Sequence, residues 1–434
     1  MDRRHFLGLS MLAGLAAGVA PSVRNRLFAQ AMDPPDPAQD PYTGTFYIFV
    51  NAGGGWDPTM VCDPKGGPIN APYMPSEIAH TGNHAYAPIN YTVNANPYSN
   101  QAFFTKYGDR LLALNGVDMS TNNHDGGTRF TWSGHLEDGY PPLAALIAAA
   151  LAPGKPLAFL SNGGYEYTAG IAPLTRLDSV DAITRIAYPN RPDPANVMSA
   201  YHSTATLDRI RRYQHDRLAA LQTSQTLPVY QDTMRQLLAT RGASNLLERL
   251  TQFLPTGAEL TAARSTPILA QGMIALAAYQ AGITAAVNLS IGGFDTHGDH
   301  DRQQGNALGQ LLYGVDQLMD RVEALHLRDK VVVVIGSDFG RTPVYNENRG
   351  KDHWAVTSMM MMGAGITGNR VIGATDDGFR ARNFDVASLT AASTGTVKLN
   401  PKQIHLALRA FAGVNGSPVT RQFPIAAETV ALFG

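Results

Sequence analysis

Residues 283–353 constrain the fold more tightly than any other part of the sequence. Two short apolar runs, ITAAVNLS at 283–290 and VVVVI at 331–335, each lead into glycine and acid. The first continues as Gly292-Gly293-Phe294-Asp295-Thr296-His297, the second as Gly336-Ser337-Asp338-Phe339-Gly340-Arg341. Between them, residues 301–327 read as one long helix. Strand, helix and strand make a βαβ unit, and β-branched runs of this length suit parallel strands buried on both faces. The expected fold class is therefore α/β: a mostly parallel central sheet with helices on both faces. Ligands of open α/β sheets sit at the carboxyl ends of strands. Asp295, His297 and Asp338 are delivered there, and Asp352-His353 follows. Carboxylates and imidazoles on one sheet edge point to a divalent metal site.

Composition excludes several function classes. Lys+Arg 34 against Asp+Glu 35 leaves a net charge of −1, which gives no basic surface for nucleic acid or for a polybasic membrane contact. A single cysteine, Cys62, cannot form an internal disulfide and reads as a small buried hydrophobe.

The N-terminus reads as an address. Arg3-Arg4-His5-Phe6-Leu7-Gly8 precedes an alanine- and glycine-rich apolar run to about Ala20, and Ala29-Gln30-Ala31 supplies a cleavage motif. This pattern predicts a twin-arginine signal over 1–31. The apolar run is shorter than the ~20 residues a spanning helix needs. The expectation is a periplasmic or secreted protein with no membrane attachment after cleavage; the alternative is a retained N-terminal anchor, since the cleavage motif is only a short match. A Pro/Asp-rich linker is expected over 32–44, then a single domain over 45–434 with a helical insertion at about 178–281.

Within that domain, 45–50 reads as the first strand, opening into Asn51-Ala52-Gly53-Gly54-Gly55-Trp56-Asp57. This glycine loop lacks the Lys-Ser/Thr of a P-loop and the spacing of a dinucleotide fingerprint. Asp57 and Asp63 are its carboxylates, as ligands or as turn caps. Residues 64–99, rich in Pro, Asn, Gly and Tyr, suggest an irregular surface excursion. A second strand over 110–117 is followed by the polar loop 120–127, which holds His124. A helix is expected over 143–151 and a third strand over 156–160. Helices follow over 206–221, 229–254 and 267–281, a cap or a cover for one sheet face. His202 and His215 lie there without acidic neighbours at ligand spacing and read as non-ligand histidines. Met359-Met360-Met361-Met362 reads as a core strand, because consecutive strand residues alternate faces. Asn400-Pro401 opens a helix that runs to Phe411.

Taken together, these segments resemble the DUF1501 family of exported proteins, related to the alkaline phosphatase and sulfatase superfamily. The resemblance rests on Gly53-Gly54-Gly55-Trp56-Asp57 with Asp63-Pro64-Lys65, His124 with Gly134, and Gly293-Phe294-Asp295-Thr296-His297. Ser337-Asp338-Phe339-Gly340-Arg341-Thr342-Pro343 and Asp352-His353 complete it. It implies a sheet-edge site for two divalent metals, usually zinc, or manganese or calcium in some branches. In such a site Asp295 and His297 resemble the first Asp/His pair, although more tightly spaced than usual, with His300 offering a longer reach. Asp338 stands where an Asp-His dipeptide belongs, with Phe339 in place of the histidine. His353 resembles the last ligand, and Asn51 or Asp57 the residue after the first strand. The nucleophile position, set by Gly134, falls on His124, with Ser120 and Thr121 one register shift away.

Loss of one histidine weakens one metal position. The expected arrangement is therefore a single zinc or manganese held by Asp295, His297 and His353, with Asp338 nearby and Asp57 and His124 approaching from the early loops. His124 would act in catalysis or as a ligand, and two metals or one could activate water without a side-chain nucleophile. Arg341 would hold an anionic substrate oxygen, or else pair with Asp338 or Asp352. Two functions follow: a metal-dependent hydrolase of phosphate or sulfate esters, or a non-catalytic protein of the same fold that binds a partner or a glycan.

Overall fold

The computed structural model describes residues 41–433 apart from 177–179, 194–195, 229, 232, 235–236, 239–243 and 393–396. The signal over 1–31 and most of the linker lie outside the described residues. The last linker residues belong to the fold: the Tyr42 amide donates to the Gly282 carbonyl at 2.9 Å, and the Tyr42 hydroxyl to the Thr45 carbonyl at 2.7 Å.

The central sheet of the described residues has eight strands. In chain order they are β1 (Phe46–Ala52), β2 (Leu111–Asp118), β3 (Phe159–Ser161), β4 (Leu174–Thr175), β5 (Ala286–Ile291), β6 (Val331–Ser337), β7 (Val356–Gly363) and β8 (Arg370–Ile372). Their order across the sheet is β8-β2-β7-β6-β1-β5-β3-β4. β7 runs antiparallel to both its neighbours, and every other pair is parallel. The two runs that frame the sequence reading thus share one sheet, each paired in parallel with β1. Parallel strands in this order bring the ends of β1, β5 and β6 to one edge side by side.

Helices cover both faces. They include α1 (Asn100–Tyr107), α2 (His124–Ser133), α3 (Leu143–Leu151), α4 (Thr204–Ser224), α5 (Pro267–Gln280), α6 (His300–Ala324) and α7 (Pro401–Phe411). Ile48, Val50, Val333 and Ile335 pack with α1, α5 and α6 on one face. Tyr47, Phe49, Val332 and Val334 pack with α2, α3 and α7 on the other. Fully burying each such aliphatic side chain contributes roughly 1.5–3 kcal/mol, so the alternation fixes the register of β1 and β6. The methionine run obeys the same rule: Met360 and Met362 join the first core, Met359 and Met361 the second.

The region at about 178–281 is mainly helical where described, and its helices differ in burial. α5 is buried against the sheet, whereas α4 has no buried residue. The expected helix over 229–254 lies partly outside the described residues; Ser244–Leu250 is helical within it. The surface excursion expected over 64–99 is corrected by two hairpins, Ala79–Thr81 with His84–Tyr86 and Asn90–Val93 with Asn96–Ser99. Their aromatics turn inward: Tyr86 stacks on Phe104 at 4.8 Å, and the buried Tyr91 hydroxyl donates to Asn100 at 2.7 Å. Tyr and Val at alternate positions gave these strands an apolar face that the turn-rich composition obscured.

Candidate metal centre

Beyond β5 the chain turns at Gly293, at a φ of +99°, and burial then alternates from Phe294 to His297. Phe294 and Thr296 are buried, while Asp295 and His297 turn outward and stand about half exposed. The buried pair is held from α6, where the Gln304 amide donates to the Phe294 carbonyl at 3.3 Å and to the Thr296 hydroxyl at 3.1 Å. Two-residue spacing is therefore what places Asp295 and His297 on the same side.

Three imidazoles gather around the Asp295 carboxylate. His297 Nε2 lies 3.0 Å and His353 Nε2 3.1 Å from Asp295 Oδ1, and His124 Nε2 lies 3.5 Å from Oδ2. The two nitrogens His297 Nε2 and His353 Nε2 are themselves 3.0 Å apart. Each ring is held by its other nitrogen. His297 Nδ1 donates to the Asp352 carboxylate at 2.8 Å, His353 Nδ1 to the Asn122 carbonyl at 2.8 Å, and His124 Nδ1 to the Asp338 carboxylate at 2.5 Å. Those acceptors require the proton on Nδ1, which leaves the Nε2 lone pairs facing one another and a carboxylate. Such a set is repulsive unless a cation, or added protons, sit among them. Outer hydrogen bonds of this kind are what orient metal-ligating histidines. Ligand atoms of His124, Asp295 and His353 all lie within 4.8 Å of one another.

The loops that carry these groups are shaped by glycine. Gly54 and Gly55 adopt φ of +117° and +80°. Their amides donate to Asp338 Oδ1 at 3.0 and 2.6 Å. Their carbonyls accept from the Arg341 guanidinium, Gly55 from Nε at 2.8 Å and Gly54 from Nη2. A Cβ on Gly54 would sit 2.6 Å from the Asp295 amide nitrogen, and one on Gly55 2.5 Å from the Phe339 ring. Phe339 is fully buried and lies under His124 and His353, with ring centroids 4.8 and 4.5 Å away. Where the resemblance implies a histidine, the chain places an apolar platform for two others.

Several expectations are corrected here. Arg341 pairs with neither Asp338 nor Asp352; it bonds Asp295 Oδ1 at 2.7 Å and the Lys351 carbonyl at 3.0 Å, and it is fully buried. Its donors are directed at the protein rather than at an open substrate site. Asp57 does not join the cluster. It is buried against Lys351 Nζ at 2.6 Å and His300 Nε2 at 3.0 Å, and its Oδ1 caps a turn through the Thr59 amide. His300 likewise faces Asp57, so the longer reach is not used. Asp338 stands behind His124, with both oxygens engaged by His124, Gly54, Gly55 and the Ser337 hydroxyl. Asp63 binds Lys65 at 3.0 Å and the Thr375 hydroxyl at 2.6 Å, not a turn. Thr121 accepts the Asn123 amide at the start of α2 rather than facing the cluster.

Asp352 and Asn122, by contrast, were not predicted as partners of the rings. The Asp-His dipeptide at 352–353 was itself the signal for Asp352: the side chains diverge, one toward His297 and one toward Asp295.

Charge favours a cation at this edge, with three carboxylates set against one guanidinium. The Asp295 carboxyl is held down to about 2: burial would raise it, but the bond from the Arg341 guanidinium and its charge outweigh burial. Asp352 is lowered by its bond to His297. The His124 imidazole is raised, chiefly by the bond to Asp338.

Similarity to known proteins is remote in structure and specific in family. The fold is similar to Ps i-CgsB in complex with k-i-k-neocarrahexaose, at 8% identity and a TM-score of 0.36, covering 90% of this chain and 76% of that one. A Bacteroides thetaiotaomicron protein described under metabolism of glycosaminoglycans, BT33494S-sulf, matches at 8% identity and 0.34, over 86% and 74%. Alkaline phosphatase from the Antarctic bacterium TAB5 matches at 10% identity and 0.33, over 76% and 94%. No curated protein matches the sequence. A family model described as Protein of unknown function (DUF1501) matches residues 47–410, which is most of the chain and all of the loops that build the cluster, and the chain belongs to that family.

Proposed function

We propose that this chain is an exported hydrolase of phosphate or sulfate esters that works with a single divalent ion, zinc or manganese, held by Asp295, His297 and His353. The observation that carries the reading is the 3.0 Å approach of His297 Nε2 to His353 Nε2 beside Asp295 Oδ1, with both Nδ1 atoms bonded outward. Imidazole and carboxylate together suit zinc or manganese better than calcium, which prefers oxygen alone. Three protein ligands at a half-exposed position leave room for substrate, the arrangement of catalytic rather than structural sites. When bound, the ion supplies polarisation of the ester and a nucleophilic water at neutral pH.

The remaining groups have roles of their own. His124 is oriented at Nδ1 by the buried Asp338, so its Nε2 is free to take or give a proton beside Asp295. Arg341 holds Asp295 in place from below. The reading uses a metal-activated water as the nucleophile and involves no covalent step on the protein. The substrate class is an anionic ester, carried on a glycan or a smaller alcohol, and the signal over 1–31 directs the protein to the periplasm or outside the cell.

A second reading, binding without turnover, is favoured by Arg341, whose guanidinium is occupied by Gly54, Gly55, Lys351 and Asp295. The deciding experiment measures metal content and arylphosphate and arylsulfate hydrolysis for the mature protein and for Asp295→Asn. Metal near about one ion per chain, lost in the variant, with metal-dependent turnover supports the hydrolase. Metal without turnover leaves binding, and no metal at all removes both forms of the proposal.

A further inference from the structure

Behind the metal cluster lies a second polar group that the proposed reaction does not use. Asp57, His300 and Lys351 are completely buried. Lys351 Nζ bonds Asp57 Oδ2 at 2.6 Å and Asn70 Oδ1 at 2.7 Å. His300 Nε2 donates to Asp57 Oδ2 at 3.0 Å, and its Nδ1 accepts from the Thr296 hydroxyl at 2.7 Å. Burial would raise the Asp57 carboxyl, but Lys351 and then His300 outweigh it and leave it far below the usual range. Burial lowers the His300 imidazole, in keeping with one ring nitrogen donating and the other accepting.

Each member belongs to a different loop of the cluster. Asp57 follows Gly54 and Gly55, which hold Asp338 and Arg341. His300 opens α6 just after His297, and its partner Thr296 lies between Asp295 and His297. Lys351 precedes Asp352 and His353, and its own carbonyl accepts from Arg341. The loops also meet directly: the Lys351 amide donates to the Thr296 carbonyl at 3.1 Å, and the His300 amide to the Arg349 carbonyl at 2.9 Å. They approach so closely that a Cβ on Gly350 would lie 1.9 Å from the His297 carbonyl carbon.

Resting on the metal reading above, we infer that Asp57, His300 and Lys351 form a positioning network that sets the spacing of His297 and His353 from behind. The energetic argument is comparative. Removing both charges of a buried ion pair in favour of neutral groups of similar volume is often neutral or stabilising for the fold. A network kept only for stability therefore has no advantage over neutral packing, whereas one that fixes three loops shows itself in ligand geometry. Outer partners of this kind change metal affinity by roughly 10–100-fold.

The test pairs Asp57→Asn with Lys351→Met in one chain, and separately uses Thr296→Val, which leaves Asp57 and Lys351 intact and removes the hydroxyl that bonds His300 and Gln304. Zinc affinity is measured by competition with a chromophoric chelator. Ring-nitrogen chemical shifts of His297 and His353 are followed in the metal-free protein, beside the thermal midpoint. We expect a thermal midpoint close to that of the parent, zinc binding weakened roughly 10–100-fold in the double variant, and altered ring shifts in both variants. Folded variants with parental zinc affinity and unchanged shifts overturn the inference. If the double variant does not fold, Thr296→Val decides by the same two readouts. If the parent binds no zinc, the metal reading falls, and the ring shifts alone judge the network.

Discussion

His297 Nε2 and His353 Nε2 lie 3.0 Å apart although they come from loops 56 residues apart in the chain. Neither ring can relieve the contact by moving its proton, because the Nδ1 of one faces a carboxylate and that of the other a carbonyl. Two lone pairs and the Asp295 oxygen meet where only a positive charge lowers the energy. The consequences can be measured.

His353→Ala removes one ring of the pair and relieves the repulsion in the metal-free protein. Zinc binding should fall by more than the roughly 10–100-fold typical of an outer partner. Isothermal titration checks it, and parental zinc affinity would falsify the assignment of His353 as a ligand.

Asp352→Asn alters the partner of His297 without touching the cluster itself. Zinc affinity should drop by roughly 10–100-fold, while the thermal midpoint of the metal-free protein stays put, since Asp352 is exposed. A variant that loses stability and keeps its zinc affinity would contradict the proposed division of roles.

Gly55→Ala should be strongly destabilising. The new Cβ would meet the buried Phe339 ring at 2.5 Å, at a backbone φ of +80°. Overpacking typically costs about 1–3 kcal/mol, and the unfavourable backbone adds to it. Urea denaturation measures the loss, and a stability equal to the parent's would show that the loop can shift without cost.

Acid should destabilise the fold through histidines away from the cluster. His405 is buried and held down to about 3 by burial, and His135 to about 4, mainly by burial and then by Arg409. Both lie below the unfolded value of ≈ 6.5. The unfolded chain then binds more protons below that pH, so stability falls as pH drops from about 6.5 toward 3 and is flat above it. His405→Gln keeps a donor for the Thr131 carbonyl, which His405 Nε2 reaches at 2.8 Å, and should flatten part of the slope. Urea midpoints at several pH values compare the two proteins; identical slopes would exclude His405 as a contributor.

Export is tested apart from the fold. Lys-Lys in place of Arg3-Arg4 should keep the precursor in the cytoplasm, and the exported form should begin near Met32. Fractionation with N-terminal sequencing reads both, and unchanged export of the variant would remove the twin-arginine reading.

What sequence determined by itself was the architecture and much of the cluster. Apolar runs of β-branched residues can be satisfied only by strands covered on both faces, so β5, β6 and the parallel sheet were legible, as was the face alternation of Met359–Met362. Asp295 and His297 were legible as a pair because alternation over a short segment is local. The family resemblance was also readable, from glycine and acid motifs spread over the whole domain. Tertiary structure decided everything that depends on which way a side chain turns when several loops compete for one space. Asp57 and Asp295 look alike in sequence, each following a glycine-rich strand end. One is buried against Lys351 and His300, and the other is left at the surface among imidazoles. Arg341 could have faced substrate, but the carbonyls of Gly54 and Gly55, freed by positive φ, draw it beneath the cluster. Such outcomes depend on contacts between residues up to 294 positions apart, and no local pattern encodes them.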